Sequence, residues 1–429
     1  MRKFSHDPVI GIVAEYNPFH NGHAFHIARA REFLGVTDVP VVVVLSSSFT
    51  QRGLPALADK WTRTRMALAN GVDLVVELPF AYACNAAQEF ARGAVDTLAA
   101  LKFVTHLSFG MENLAMKNVG IGNAAPTIDA IAYILIHESC AFKRDLRKKL
   151  SKGKSYPKAV AEALDGAIPG SGAFVSKPNN ALALSYLLRI LEKDYSLEIL
   201  PVQRQGAGHD DKKPGPLASA SAIRGGLIDS QGESWDTSWV REAMPVSALA
   251  LLKEERQRGR LWMTTEKLWT LLRGLLARSS PEELRQCAGM TEGLENLFLK
   301  HYTKATSYEN FIGRCVCGRY TRNRLQRQAA RCLAGIDRWS ALALSRSGVP
   351  YIRVLGYNKR GRALLRLRKQ LHYSADAIPV ITRLAAVTSS ARVSAELEFR
   401  ASRLRELLLP VPDLGYEERQ KPASISVLS

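Results

Sequence analysis

Val9-Ile10-Gly11-Ile12-Val13-Ala14-Glu15-Tyr16-Asn17-Pro18-Phe19-His20-Asn21-Gly22-His23 begins as an apolar, β-branched run and breaks after Ala14 into a loop with Pro18, Gly22 and two histidines. An apolar run of that length without alternation suits a strand covered on both faces. His23 to Leu34 then reads as a helix that Asn21 can cap. Strand, loop and helix in that order make the first unit of a doubly wound sheet.

The same alternation continues outward from it. Val39 to Leu45 is a second buried strand, and Trp61 to Asn70 a helix ending at Asn70-Gly71, a C-terminal signal. Val72 to Leu78 is a third strand, Glu89 to Leu101 a helix, and Thr105 to Phe109 a fourth, short strand. Residues 125–200 read mostly as helix, with a loop at Ala167 to Gly172, and Glu198 to Gln203 as a returning strand. Gly206 to Leu217 is a glycine, proline and aspartate loop. From Thr237 periodic Leu, Ala and Arg dominate. The expected fold class is α/β: a doubly wound parallel-sheet, Rossmann-like domain over residues 1–230, followed by a mainly helical basic domain over 231–410. A flexible tail is expected over 411–429.

Composition narrows the function classes. With 46% hydrophobic and 23% charged residues, the chain of 429 can bury a core, which excludes a wholly disordered protein. No apolar run of about 18 residues and no apolar leader are present, so neither a membrane span nor a signal peptide is expected, and the location reads as cytoplasmic. Six cysteines are too sparse for a disulfide scaffold. Cys315-Val316-Cys317 lacks a second ligand pair, so no metal held by protein ligands is expected.

The charge of +19 is not spread evenly. Gln231 to Asn310 holds 11 basic and 11 acidic residues, whereas Phe311 to Gln370 holds 15 basic residues and one acid, Asp337. A solvated helix face normally mixes signs, so this segment points to an anionic partner, and a nucleic-acid backbone is the natural one. Candidate phosphate contacts are Arg319, Arg322, Arg324 and Arg327, and in a second cluster Lys359, Arg360 and Arg362.

In open α/β sheets ligands sit beyond the carboxyl ends of the strands. His20-Asn21-Gly22-His23 stands there, where a helix is about to begin. A helix N-terminus offers unpaired N–H groups and positive dipole to a phosphate, and Gly22 has no side chain to block its approach. Imidazoles can donate hydrogen bonds to phosphoryl oxygens as charge builds on them. Read alone, the pair could also be two loop histidines, or a metal pair with His26.

This H-x-G-H after a first strand resembles the signature of the nucleotidyltransferase superfamily, whose members attack the α-phosphate of a nucleoside triphosphate and expel pyrophosphate. The wider stretch Ile12, Val13, Ala14, Glu15, Tyr16, Asn17, Pro18, Phe19, His20, Asn21, Gly22, His23 resembles the opening of the bacterial tRNA(Met) cytidine acetate ligase family. Phe49-Thr50-Gln51-Arg52-Gly53, Asp59-Lys60-Trp61-Thr62-Arg63 and Asn70 to Pro79 are similar to its next blocks. Lys177-Pro178-Asn179-Asn180, Arg204 to Gly208, Ala220 to Arg224, Arg319 to Arg322 and Tyr351 to Gly356 extend the likeness over about residues 8–370. The resemblance implies ATP and acetate as substrates, with magnesium on the phosphates. The implied products are acetyl-adenylate and then N4-acetylated wobble cytidine in elongator tRNA(Met).

It also implies roles. His20 and His23 would stabilise the transition state at the α- and β-phosphates, with Lys60 reaching phosphate or carboxylate unless it is a surface lysine. Residues 12–23, Gly110, Asn179, Asn180, Arg204 and Arg224 would bind ATP, and Gln51 and Arg52 are candidates for acetate or phosphate. An N-cap role is the plainer reading of Asn179 and Asn180. The chain departs from the family at Ser46-Ser47-Ser48, at Met111 and at His209. Two other functions fit the nucleotide motif alone: a small-molecule adenylyltransferase of the pantothenate synthetase type, which leaves the basic segment without a purpose, or an RNA-binding protein with a degenerate pocket.

Overall fold

The structure is a computed structural model that describes residues 7–36, 38–112, 128–204, 215–229, 238–262, 264–371, 377–387 and 391–424. Five parallel strands form its spine: β1 (Ile10–Ala14), β2 (Val41–Ser46), β3 (Leu74–Leu78), β4 (His106–Met111) and β5 (Glu198–Gln203). Three more come late: β6 (Ile352–Tyr357), β7 (Val380–Ile381) and β8 (Ala423–Ser424). The order is β5-β4-β1-β2-β3-β6-β7, with β8 also paired to β6. Ala14 is in register with Leu45, so the β1 and β2 carboxyl ends, with those of β4 and β5, lie on one edge.

Both sheet faces are covered, which is why β2 reads as an unbroken apolar run. Val42 and Val44 enter one hydrophobic cluster with Leu98 and Leu107; Val41, Val43 and Leu45 enter the other with Ile27 and Met66. Helices α1 (Asn21–Phe33), α2 (Lys60–Leu68), α3 (Phe80–Ala83) and α4 (Ala87–Leu101) supply much of that cover. Trp61, Phe80 and Tyr82 are buried within it.

Three expectations need correction. The helical part was expected to stand apart after residue 230. Instead β6 pairs antiparallel with β3, where Ile352, Val354 and Leu355 are buried, and residues 240–261 pack on the sheet with Leu355. A separate helical cluster does form around Phe298, Phe311 and Leu325, and the loop residue Leu54 packs against it. The second correction is the tail. Glu417 and Glu418 turn inward, Arg405 Nη1 lies 3.0 Å from Glu417 Oε1, and Trp61 Nε1 donates to the Glu417 carbonyl at 2.6 Å. Those two acids neutralise buried cations, so the segment docks rather than frays; residues 425–429 lie outside the description.

Lys60 is the third. It is fully buried, with Nζ at 2.7 Å from Glu77, 2.9 Å from Glu398 and 3.0 Å from Glu418. Arg353 of β6 completes the cluster, 2.8 Å from Glu418. Burial opposes the Lys60 charge, but the three carboxylates outweigh it and hold the ammonium well above its ordinary value. The side chain ties α2, β3, the C-terminal helix Arg392–Leu407 and the tail at Glu418 together, and all its charge is spent on those three acids.

Candidate active site

The loop after β1 is set by its own aromatic residues and by one arginine. Tyr16 adopts φ +45°, an uncommon conformation for a bulky side chain, with its ring 4.8 Å from Phe19 and 4.7 Å from His23. Arg63, buried on α2, donates to the Glu15 carbonyl at 2.7 Å, to Ser46 Oγ at 3.1 Å and to the Ser47 carbonyl. It therefore holds the loops after β1 and β2 to one another. Asn17 Oδ1 accepts the Leu57 amide at 2.8 Å, adding a second tie.

His20, rather than Asn21, caps α1. Its Nδ1 accepts the Gly22 amide at 3.0 Å, and His23 Nδ1 accepts the His20 amide at 3.2 Å. This is a capping box built from two imidazoles. Each ring uses Nδ1 as acceptor, which places the proton of the neutral imidazole on Nε2, a donor. The rings lie 3.8 Å apart. Gly22 is required because a Cβ there would stand 2.8 Å from His20 Cε1. Asn21 instead donates to the carbonyls of Pro216 and Glu242, at 3.1 and 2.6 Å.

Around this pair the parallel edge collects the other candidates. Arg224 Nη1 donates to the Asn17 carbonyl at 2.6 Å and Nη2 to Ser221 at 3.1 Å. Burial lowers the Arg224 pKa, Glu15 opposes the shift and Arg52 adds to it, which places the three charges close together. The Gln51 amide donates to Glu15 Oε1 at 2.6 Å, and Arg327 Nη1 to the Gln51 carbonyl at 3.5 Å. Gly53, φ +86°, leaves no room for a Cβ, which would lie 2.4 Å from Arg327 N. The basic helix Arg322–Leu333 thus rests directly on the loop that carries Gln51 and Arg52.

At the β4–β5 end, a Cβ on Gly110 would stand 3.0 Å from Arg204 Cγ, so glycine lets the arginine cross. Burial lowers the Arg204 pKa and Glu112 opposes it. Lys177, not either asparagine, is the N-cap of the Pro178–Lys193 helix. Asn180 is buried, accepting the Glu112 amide at 2.9 Å and donating to carbonyls of Glu112 and Phe174. Asn179 is half-buried and donates to Glu112 Oε1 at 2.8 Å.

Sequence reasoning gave no role to Ser108, Glu112 or Arg63, and weighed His26 only as a metal ligand. His26 Nε2 lies 2.9 Å from Ser108 Oγ. A serine inside the apolar run of β4, and a histidine three residues beyond His23, were the available signals. Among the described residues no group of three or more His, Cys, Asp and Glu side chains is arranged to hold a metal. Of the departures, Met111 is core, and Ser48 donates to Glu417 Oε2 at 2.7 Å; His209 lies outside the described residues, as do Gly206, Ala207 and Gly208 of the expected loop.

Burial, and after it the charge of Arg204, pulls the His26 pKa from 6.5 down to about 4. The unfolded chain therefore takes up a proton first, and stability is lost as pH falls from 6.5 toward about 4. His26→Gln keeps a polar partner for Ser108 and does not titrate. Its urea midpoint should fall less than that of the parent between pH 7 and pH 5, and equal falls would assign the acid sensitivity to other groups.

The HIGH Nucleotidyl Transferase family profile matches residues 8–420. The tRNA(Met) cytidine acetate ligase of Halothermothrix orenii is 35% identical over 389 residues, covering 88% of this chain and 87% of that protein. The protein of the same name from Bacillus subtilis is 34% identical over 94% of this chain and 93% of its own length. Thermotoga maritima TmcAL superposes with a TM-score of 0.86 at 28% identity, covering 98% of this chain and 100% of that one. A second crystal form of that protein, bound with alpha-thio ATP, gives the same TM-score at 27% identity and the same coverage. Agreement of profile, sequence and fold over nearly the whole length places the chain in the HIGH nucleotidyl transferase family, among the tRNA(Met) cytidine acetate ligases.

Proposed function

We propose that the protein is an ATP-dependent ligase that activates acetate as acetyl-adenylate and acetylates N4 of the wobble cytidine of elongator tRNA(Met). The imidazole capping box carries this reading: it holds two Nε2–H donors at a helix N-terminus on the carboxyl edge of the sheet. An acetate oxygen attacks the α-phosphorus, a C–O–P anhydride forms, and the bond to the β-phosphate breaks with its electron pair leaving on pyrophosphate. His20 and His23 donate to the phosphoryl oxygens as that charge develops. The cytidine amine then attacks the acetyl carbon and loses a proton, and AMP leaves with the bonding pair. Magnesium arriving with ATP would supply charge neutralisation on the phosphates.

Arg224 and Arg52 would neutralise phosphate or orient acetate beside Glu15. Arg204, Gly110 and Asn179 would frame the nucleoside, with Asn180 holding the Glu112 backbone that positions them. The basic segment serves two ends. Arg331, Arg353 and Arg368 are buried and internal, Arg353 being neutralised by Glu77 and Glu418 from elsewhere in the chain. Arg319, Lys359 and Arg362 are exposed and suited to tRNA phosphates. Arg322 and Arg324 carry surface partners, Glu309 and Glu292, that a phosphate would displace. Arg360 pairs with Asp38 and Asp73, anchoring its helix, and Arg327 bridges to the Gln51 loop. No helix among the described residues is long and apolar enough to cross a membrane.

The test is nucleoside analysis of tRNA incubated with the protein, ATP, magnesium and labelled acetate. Label in N4-acetylcytidine, with equimolar AMP, is the expected result. Label confined to a small molecule would overturn the tRNA assignment.

A further inference from the structure

Helix Cys140–Ser151 lies in a region to which neither the sequence nor the site geometry gave a task. From Ser139 to Lys158 the chain holds eight basic residues and one acid, Asp145. Phe142 and Leu146 bury one face of the helix and Leu150 packs with them, so the cationic positions between turn outward. Lys143 and Lys149 are paired, with Glu138 and Asp145. Arg144, Arg147, Lys148 and Lys152 are exposed and have no ion-pair partner among the described residues.

The helix runs out at Gly153, whose carbonyl lies 3.6 Å from the place a Cβ on Gly318 would take. Gly318 immediately precedes Arg319. That approach sets the end of this helix against the start of the Arg319 cluster, joining segments that are remote in sequence.

We propose that Arg144, Arg147, Lys148 and Lys152 form a second tRNA-contacting face, continuous with the Arg319 cluster and reading phosphates rather than bases. This rests on the ligase reading above. A lone row of like charges repels itself in the free protein and is relieved by a polyanion, whose condensed counterions are released. A lipid surface fits less well, because the apolar side of this helix is spent in the core and cannot insert. Tyr156, 49% exposed just beyond Lys154, offers a ring on which an unpaired base could stack.

The experiment compares the full-length protein with the quadruple variant R144A/R147A/K148A/K152A by filter binding to tRNA over a salt series. Acetate-dependent ATP–pyrophosphate exchange without tRNA is measured beside it. All four side chains are exposed, so the exchange rate and circular dichroism should be unchanged. The slope of log affinity against log salt should flatten by about 3, as expected for up to four phosphate contacts at roughly 0.7–0.9 each. The charge-keeping variant R144K/R147K should retain the parental slope. Should the quadruple variant fold poorly, R147E and K148E alone are each expected to weaken binding. Parental slope and affinity in the alanine variant, with tRNA still bound by the parent, would overturn this face and leave the ligase reading standing. No tRNA binding by the parent would sink that reading itself. Loss of binding to anionic phosphatidylserine vesicles but not to tRNA would make the face a membrane contact and overturn the proposal.

Discussion

His23→Ala lowers acetate-dependent ATP–pyrophosphate exchange by roughly 10²–10³-fold, the usual loss for one donor to a developing oxyanion. The change also removes the acceptor for the His20 amide and so weakens the cap of α1, by about 1 kcal/mol. His23→Gln separates the two effects. Glutamine at this position can accept the His20 amide, as in ordinary capping boxes, but cannot reproduce an imidazole stacked on His20 with Nε2–H as its donor. Stability should return in the glutamine variant while the rate stays low. Turnover at the parental rate in either folded variant would remove His23 from the chemistry and with it the nucleotidyltransferase mechanism.

Lys60→Met unfolds the protein more readily, by about 3–5 kcal/mol, because it leaves three carboxylates without their shared buried cation. The measurement is the urea midpoint, and the loss should be largely matched by deletion of residues 411–429, which strips Glu417 and Glu418 from Arg405, Arg353 and Lys60. Burial, and after it the charge of Glu77, pushes the Glu398 carboxyl up to about 8 despite the attraction of Lys60. Removing Lys60 removes that attraction and drives the carboxyl further toward its neutral form. Folded Lys60→Met protein, held at low temperature with an osmolyte, should bind ATP as the parent does. A lost exchange rate at parental stability would instead return Lys60 to the reaction centre.

The residues around His20 were legible because their chemistry is local. A β-branched strand, a turn with proline and glycine and a helix start lie within 15 residues, and the parallel sheet dictates which edge they occupy. Gln51 and Arg52 could be placed on that edge for the same reason. Lys60 could not be placed, since its three partners lie at positions 77, 398 and 418. The excess charge of residues 311–370 was legible as an excess, but not in its division. Arg353 looks like its neighbours in sequence and is neutralised from two distant segments, whereas Arg319 stays at the surface.

By itself, then, the sequence determined the alternating α/β half, the imidazole pair at its first turn and the concentration of positive charge in residues 311–370, because periodicity, turn chemistry and charge density act over short stretches. Only the tertiary structure decided that β6 completes the sheet, that the C-terminal tail supplies counter-charges to the core, and that His20 rather than Asn21 caps α1. It also decided that helix Cys140–Ser151 meets the Arg319 cluster at Gly153 and Gly318. Each of these depends on which remote groups share a buried or crowded space, where desolvation makes the pairing of charges and the fit of a single Cβ decisive.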